Sequence, residues 1–279
     1  MPVGTKNKEE LNALRYNISD HYNLMEKLGF GTYSQVRRGI HKKSEEIYAV
    51  KISKGQTSGN FLKNEAEILK QLNSDFIPKF HEFQTDSFSN KSYLVMEYVK
   101  GTSLDKFIEE NGALSEEESL RILKQLISAV KELHSNGYAH RDIKPQNIII
   151  TEDKNLKLID FNISKRMKSG SESDDEECKF KSIFFTQISS PKYSAPELSL
   201  QECYSESIDI WGIGLAFAEM LFNISNESLQ ELKEGLSDVL VELNSTNKIS
   251  EETLSWLVTM VSANPKLRPS IFELSEHFC

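Results

Sequence analysis

His140-Arg141-Asp142-Ile143-Lys144-Pro145-Gln146-Asn147 sets a carboxylate, an ammonium group and a carboxamide at offsets of two and three residues. Such groups can serve in turn as a base, a charge neutraliser and a hard oxygen ligand for a metal. The apolar run Ile148-Ile149-Ile150 follows at once and reads as a strand. Thirteen residues after Asn147 stands Asp160-Phe161-Asn162, which adds a second carboxylate.

Around this centre the chain has 279 residues, enough to bury a sizeable core and to form two subdomains. Its 27% charged and 38% apolar residues suit a soluble globular protein. A net charge of -9 argues against broad nucleic-acid or anionic-membrane binding. Cys178, Cys203 and Cys279 are odd in number, far apart and in no metal-ligand spacing. They read as free thiols of a reducing compartment. Residues 1–10 are polar and hold no signal-peptide core. The most apolar window, 213–222, is short and contains Glu219, which argues against membrane insertion. A cytoplasmic or nuclear location is expected.

Residues 1–20 form a polar lead-in. Strand signals then dominate as far as residue 98: Val36, Tyr48-Ala49-Val50-Lys51-Ile52 and Tyr93-Leu94-Val95-Met96. A helical pattern over 61–72 interrupts them. From Ser103 onward helices dominate. Ser115 with Glu118 is a capping-box signature, opening a long helix in which Leu120, Leu123, Ile127, Val130 and His134 recur at three-to-four spacing. Segments 205–222, 227–243, 251–261 and 270–278 read as further helices, the last opened by Ser270 with Glu273. A strand-rich unit followed by a helical one predicts an α+β fold of two packed subdomains. Residues 168–179 have no apolar periodicity and a largely acidic centre, which predicts a solvated, mobile loop.

The loop 140–147 with Asp160-Phe161 resembles the catalytic and magnesium-binding loops of eukaryotic protein kinases, serine/threonine type. The resemblance covers residues 22–279. It implies a bilobal protein-kinase-like fold with ATP and Mg2+ as cofactors. A small β-sheet N-lobe (about 21–98) with one main helix and a hinge (97–101) would precede a larger, mainly α-helical C-lobe (102–279), and residues 1–20 would be an extension. Asp142 is implied as the catalytic base and Lys144 as the neutraliser of the transferred phosphoryl. Asn147 and Asp160 are implied as magnesium ligands, and His140 as a packed structural residue.

Leu28-Gly29-Phe30-Gly31-Thr32-Tyr33-Ser34-Gln35-Val36 resembles the family's phosphate-covering turn, in which glycine lets backbone N–H groups approach phosphate oxygens. Taken alone, this stretch reads equally as an ordinary hairpin turn, and Ser34 stands where the family usually has a third glycine. The resemblance further implies an ATP site of Leu28, Gly29, Phe30, Gly31, Thr32, Tyr33, Ser34, Val36, Ala49, Lys51, Glu65, Met96, Glu97 and Val99. Lys51 would hold the α- and β-phosphates and pair with Glu65, leaving Glu67 to solvent. Met96 would stand behind the adenine, and Glu97 and Val99 would offer it main-chain groups.

Asp160-Phe161-Asn162 departs from the family's Asp-Phe-Gly. Asparagine tolerates left-handed backbone, which predicts that the loop still forms. Ser190-Pro191-Lys192-Tyr193-Ser194-Ala195-Pro196-Glu197 resembles the end of an activation segment (160–197), with the acidic insertion 168–179 inside it. Glu197 is implied to pair with Arg268, and Asp209 to brace the catalytic-loop backbone. By register Thr186 falls at the activating phosphosite, with Arg141 as the phosphate's partner and an upstream kinase implied. Ser171 and Ser173 are weaker candidates for modification. Lys144 and Ser190 favour protein serine and threonine hydroxyls over tyrosine. Ser103 and Gln146 stand where arginine-directed kinases often carry acids, which predicts no strong demand for basic residues set there; Asp105 or the acidic loop can substitute. The alternative is a pseudokinase acting as a nucleotide-binding scaffold. Lys51, Asp142, Asn147 and Asp160 favour the enzyme, whereas Ser34 and Asn162 lean toward the scaffold.

Overall fold

The first part of the chain forms an antiparallel sheet, its strands joined by short turns except where a helix intervenes between the third and the fourth. The computed structural model describes residues 16–31, 33–86, 89–167, 193–199, 205–224, 240 and 249–279. The chain divides into two units, Met1–Gln71 with Pro78–Val99 and Leu72–Ile77 with Lys100–Cys279. In the first, β1 (Tyr22–Phe30), β2 (Ser34–His41), β3 (Ile47–Ser53), β4 (Phe80–Asp86) and β5 (Lys91–Glu97) are ordered β1-β2-β3-β5-β4.

Both faces of the central strand β3 are covered. On one, Val50 and Ile52 pack with Tyr93, Val95, Ile18 and Tyr22, and Tyr16, Leu24 and Tyr48 lie against them. A helical turn, α1 (Ile18–His21), is capped by Asn17 Oδ1, which accepts from the Ser19 N–H at 3.1 Å. The end of the polar lead-in is therefore part of the first unit's core. The other face meets α2 (Gln56–Leu69), which buries Leu62, Glu65, Ala66, Ile68 and Leu69. This helix begins five residues ahead of its apolar pattern. Ser58 Oγ accepts from the Gly55 N–H and donates to Gly55 O, both at 2.9 Å, and so fixes the earlier start.

The second unit contains β6 (Gly101–Ser103), α3 (Leu104–Asn111), α4 (Glu116–Ser135), β7 (Tyr138–Ala139), β8 (Ile148–Thr151), β9 (Leu156–Leu158) and β10 (Lys165–Arg166). After them come α5 (Pro196–Ser199), α6 (Ser207–Phe222), α7 (Glu251–Met260) and α8 (Ile271–Phe278). The strands form two small sheets, β6-β8-β9 and β7-β10. Ser115 Oγ caps α4 by accepting from the Glu118 N–H at 3.2 Å. At α8 the capping box is complete: the Ser270 N–H donates to Glu273 Oε2 at 2.7 Å, and the Glu273 N–H to Ser270 Oγ at 3.2 Å.

Helix α6 is buried from Ile208 through Leu221, so it runs through the core and shows no polar face. Residues 72–77, expected with the strand-rich part, are held in the second unit by their own backbone. The Asn73 N–H donates to Glu132 Oε1 at 3.0 Å, and Phe76 O accepts from the Leu158 N–H at 2.8 Å. The expected helix 227–243, apart from Leu240, and the acidic insertion 168–179 lie outside the described residues. No helix among the described residues is long and apolar enough to cross a membrane.

Candidate active site

In the first unit, strand alternation turns Lys51 toward α2. Its Nζ donates to Glu65 Oε1 and Oε2 at 2.9 and 2.7 Å. The two residues are 3% and 0% exposed, so each charge depends on the other. Glu67, two positions on, is exposed. Cross-strand partners share a face of the sheet, and Val36 and Leu94 flank Lys51 while Met96 stands opposite Ala49. Val36, Ala49, Lys51 and Met96, chosen from separate stretches of sequence, thus lie on one side. The Glu97 N–H donates to Lys79 O at 2.9 Å, and Glu97 Oε2 accepts from the Lys79 N–H at 3.0 Å, which anchors the start of the expected hinge. Val99 is half-buried.

The glycine-rich turn joins β1 to β2, with Gly29 opposite Val36 and Phe30 opposite Gln35. The Gly31 N–H donates to Ser34 O at 2.9 Å. Ser34 is buried and its φ is not positive, so nothing in the backbone there requires a third glycine. Leu28, Phe30 and Gly31 are exposed and Tyr33 is half-buried, while Thr32 lies outside the described residues.

In the second unit the loop 140–147 hangs from one carboxylate. Asp209, in the first turn of α6, accepts from the His140 N–H at Oδ2 and the Arg141 N–H at Oδ1, both at 2.8 Å. His134 Nε2 of α4 reaches Asp209 Oδ2 at 2.8 Å. The three-to-four stripe of α4 assigns His134 to an apolar face, and nothing local in the sequence marks it as Asp209's partner. Burial acts to raise the Asp209 carboxyl, but the His134 bond, the nearby histidines and the Arg141 amide together hold it below the usual range. A Cβ on Gly212 would meet Ile143 O at 2.8 Å, so glycine at this position lets α6 come up against the loop.

Within the loop, Asp142 Oδ2 accepts from Lys144 Nζ at 2.6 Å and Asn147 Nδ2 at 2.9 Å. Asn147 Nδ2 also donates to Asp142 O at 2.8 Å. Burial pushes the Asp142 carboxyl up and the Asp160 charge adds to this, while Lys144 works the other way. His140 is fully buried, and burial lowers its pKa. Its Nε2 donates to Ile159 O at 3.2 Å while Nδ1 accepts from the Asp142 N–H at 3.3 Å, an assignment made from these partners. Both ring nitrogens are committed, as a packed structural residue requires.

The Ile159 N–H donates to Asn147 O at 2.9 Å, tying the segment that carries Asp160 to the loop. Phe161 is buried and sets its ring against His140, centroids 4.8 Å apart. Left-handed backbone lies at Asp160, with φ of 70°, and at Arg141, with φ of 73°. Asn162 keeps an ordinary φ, so replacing glycine there carries no backbone strain.

Arg268 donates through Nη1 to Glu197 Oε1 at 2.7 Å and through Nη2 to Oε2 at 2.9 Å, a buried bidentate pair. Ser103 caps α3 without a side-chain bond, and Gln146 lies in a 3-10 turn, Pro145–Asn147. The sequence reading gives Tyr193 and Glu219 no role near them. Burial and then the Glu219 charge raise the Tyr193 hydroxyl well above the usual phenol range, and Gln146 and Glu219 hydrogen-bond it. Arg141 Nη1 donates to Ile163 O at 3.2 Å. Thr186, Ser171, Ser173, Ser190, Cys178 and Cys203 lie outside the described residues.

Asp209 carries a pH-dependent share of stability. Its folded carboxyl binds a proton less readily than in the unfolded chain. The contribution is therefore complete above the ordinary aspartate value and is lost as pH falls through the folded value. Asp209→Asn is expected to cost about 2 kcal/mol at neutral pH, with the gap to wild type narrowing below about pH 4. Thermal melts across that range check this, and a gap constant with pH would assign the loss to packing instead of charge.

A five-stranded antiparallel sheet with one long helix, and a mainly helical second unit carrying this loop, define the protein-kinase fold. The family model described as "Protein kinase domain" matches residues 22–278, and the chain belongs to that family. It is 32% identical over 265 residues to "Maternal embryonic leucine zipper kinase" of Danio rerio, covering 92% of this chain and 37% of that protein. It is 34% identical over 257 residues to "Hormonally up-regulated neu tumor-associated kinase" of Homo sapiens, covering 88% and 34%. "Serine/threonine-protein kinase cds1" of Schizosaccharomyces pombe is 29% identical over 294 residues, covering 99% and 62%. The chain thus spans between about a third and three fifths of the length of these curated relatives. Protein kinases generally use ATP and Mg2+ and act on proteins.

Proposed function

We propose that this chain is an ATP-dependent serine/threonine protein kinase that passes the γ-phosphoryl group to protein hydroxyls. The observation that carries the reading is the convergence of Lys144 and Asn147 on Asp142 Oδ2, in a loop whose backbone is bound to the buried Asp209. Asp142 is assigned to orient the substrate hydroxyl and accept its proton. Lys144, already at this carboxylate, is assigned to neutralise charge on the group in transit.

Asn147 and Asp160 fit a magnesium ion by donor type. Asn147 commits its Nδ2 to Asp142, so the amide's remaining polar atom is a hard oxygen, and Asp160 adds a carboxylate. No cluster of three or more His, Cys, Asp or Glu side chains suited to a metal occurs among the described residues, so phosphate and water would complete the coordination. Magnesium bound there supplies charge neutralisation at the phosphates. In the first unit, Lys51 with Glu65 is assigned to the α- and β-phosphates. The glycine-rich turn is assigned to cover the phosphates, and Met96, Glu97 and Val99 to meet adenine. A cytoplasmic or nuclear location, and activation by an upstream kinase at Thr186, belong to the same proposal.

The test is transfer of radiolabelled phosphate from ATP, with magnesium, to a generic protein substrate, alongside Asp160→Ala and Thr186→Ala. Transfer that vanishes in Asp160→Ala is the expected result. Undiminished activity in Thr186→Ala would remove the activating phosphosite from the proposal. No transfer by wild type, even after phosphorylation of Thr186, would favour a nucleotide-binding scaffold.

A further inference from the structure

Lys54 follows β3 directly and stands two residues before α2, with its ammonium lying over the glycine-rich turn. Nζ is 3.7 Å from the centre of the Phe30 ring and donates to Gly31 O at 2.6 Å. The Lys54 backbone N–H donates to Tyr33 O at 3.1 Å. Tyr33 in turn lies on Phe61 of α2, ring centroids 4.5 Å apart. One residue thus holds the turn at Phe30, Gly31 and Tyr33. Phe30 is 73% exposed, so burial does not fix its ring and the cation contact is its restraint. Among the described residues no carboxylate pairs with Lys54, and its positive charge stays available to an incoming anion.

We propose that Lys54 is a positioning residue for the nucleotide phosphates, fastening the glycine-rich turn to the start of α2 before nucleotide arrives. The inference rests on the phosphate-covering role assigned to that turn above. A glycine-bearing turn loses more backbone freedom on ordering than other turns, and ordering that accompanies binding weakens affinity. A turn already held by Lys54 avoids most of that loss, and the unneutralised ammonium favours a polyanion over a neutral ligand. Phe61 is also one helical turn from Glu65, so the fastening joins the turn to the helix that holds Lys51.

The test titrates Mg-ATP and, separately, adenosine into the 279-residue chain by calorimetry, for wild type, Lys54→Met and Lys54→Arg. Lys54→Met is expected to raise Kd for ATP about three- to tenfold and to leave adenosine unchanged. Arginine keeps both a donor and a cation for the ring, so Lys54→Arg is expected to stay within about twofold of wild type. In phosphate transfer, KM for ATP should rise in Lys54→Met at unchanged kcat. Equal ATP affinity in wild type and Lys54→Met overturns the inference, as does an equal loss for adenosine, which would mean a general disturbance. Lys54 is exposed, and Lys54→Gln replaces the methionine variant if that one melts early. A wild-type chain that binds adenosine but gains nothing from phosphates contradicts the phosphate-covering role itself, a failure distinct from that of Lys54.

Discussion

Asp142→Asn is expected to lower kcat by about 10²- to 10⁴-fold while leaving the thermal midpoint and the affinity for ATP close to wild type. Asparagine has the size of aspartate and can still offer an oxygen to one of the two donors now shared by Oδ2, Lys144 Nζ at 2.6 Å and Asn147 Nδ2 at 2.9 Å. The backbone bonds from His140 and Arg141 to Asp209 do not involve the substituted side chain. What disappears is the capacity to take a proton from a hydroxyl. Steady-state transfer assays, paired with melting curves and ATP titration, separate these effects. Retention of most of the wild-type kcat would remove Asp142 from the role of base, and a collapse in melting temperature would make its role structural.

The largest effect on stability is expected from Arg268→Ala. Arg268 gives both ends of its guanidinium to Glu197 and also donates to Ser262 O at 2.9 Å and Ser207 O at 3.1 Å. Truncation leaves a buried carboxylate with its cation removed, which typically costs about 3–5 kcal/mol. For a domain of this size that corresponds to a fall in Tm of roughly 6–15 °C. Removing both charges should be milder, because a buried pair gains little net stability over apolar side chains of similar volume. The double variant Glu197→Leu with Arg268→Met is therefore expected to melt above Arg268→Ala. Thermal unfolding of the three proteins decides the matter; if the double variant melts lowest, the losses come from packing around Trp211, whose ring lies 5.0 Å from the guanidinium.

Pairings were legible where the chain resembles a family with a fixed register. Lys51 with Glu65 and Glu197 with Arg268, implied by that resemblance and not by their residue types alone, are bonded as expected. Long helices with capping residues were legible as well, as at Ser115 and Ser270. Contacts made by common residues at distant positions were not. His134 sits in an apolar stripe, and only the fold brings it to Asp209. Tyr193 and Glu219 meet for the same reason. The left-handed residue of this tight loop was not legible either, because it depends on the path of the loop, which here puts it at Asp160. Lys54 carries no motif at all, since a lysine after a strand is ordinarily a solvated surface residue.

The packing of Tyr16 and Ile18 bears on how this protein can be shortened. The family match opens at residue 22, yet Ile18 is buried against Tyr22, Val50, Ile52, Tyr93 and Val95, and the Tyr16 hydroxyl donates to Glu82 Oε1 at 3.2 Å. A recombinant chain begun at the family boundary would uncover Tyr93, Val95 and Ile52 together, an apolar patch of the kind that drives self-association. Truncation for crystallisation or assay is therefore better placed before Tyr16 than at the first residue of the family match.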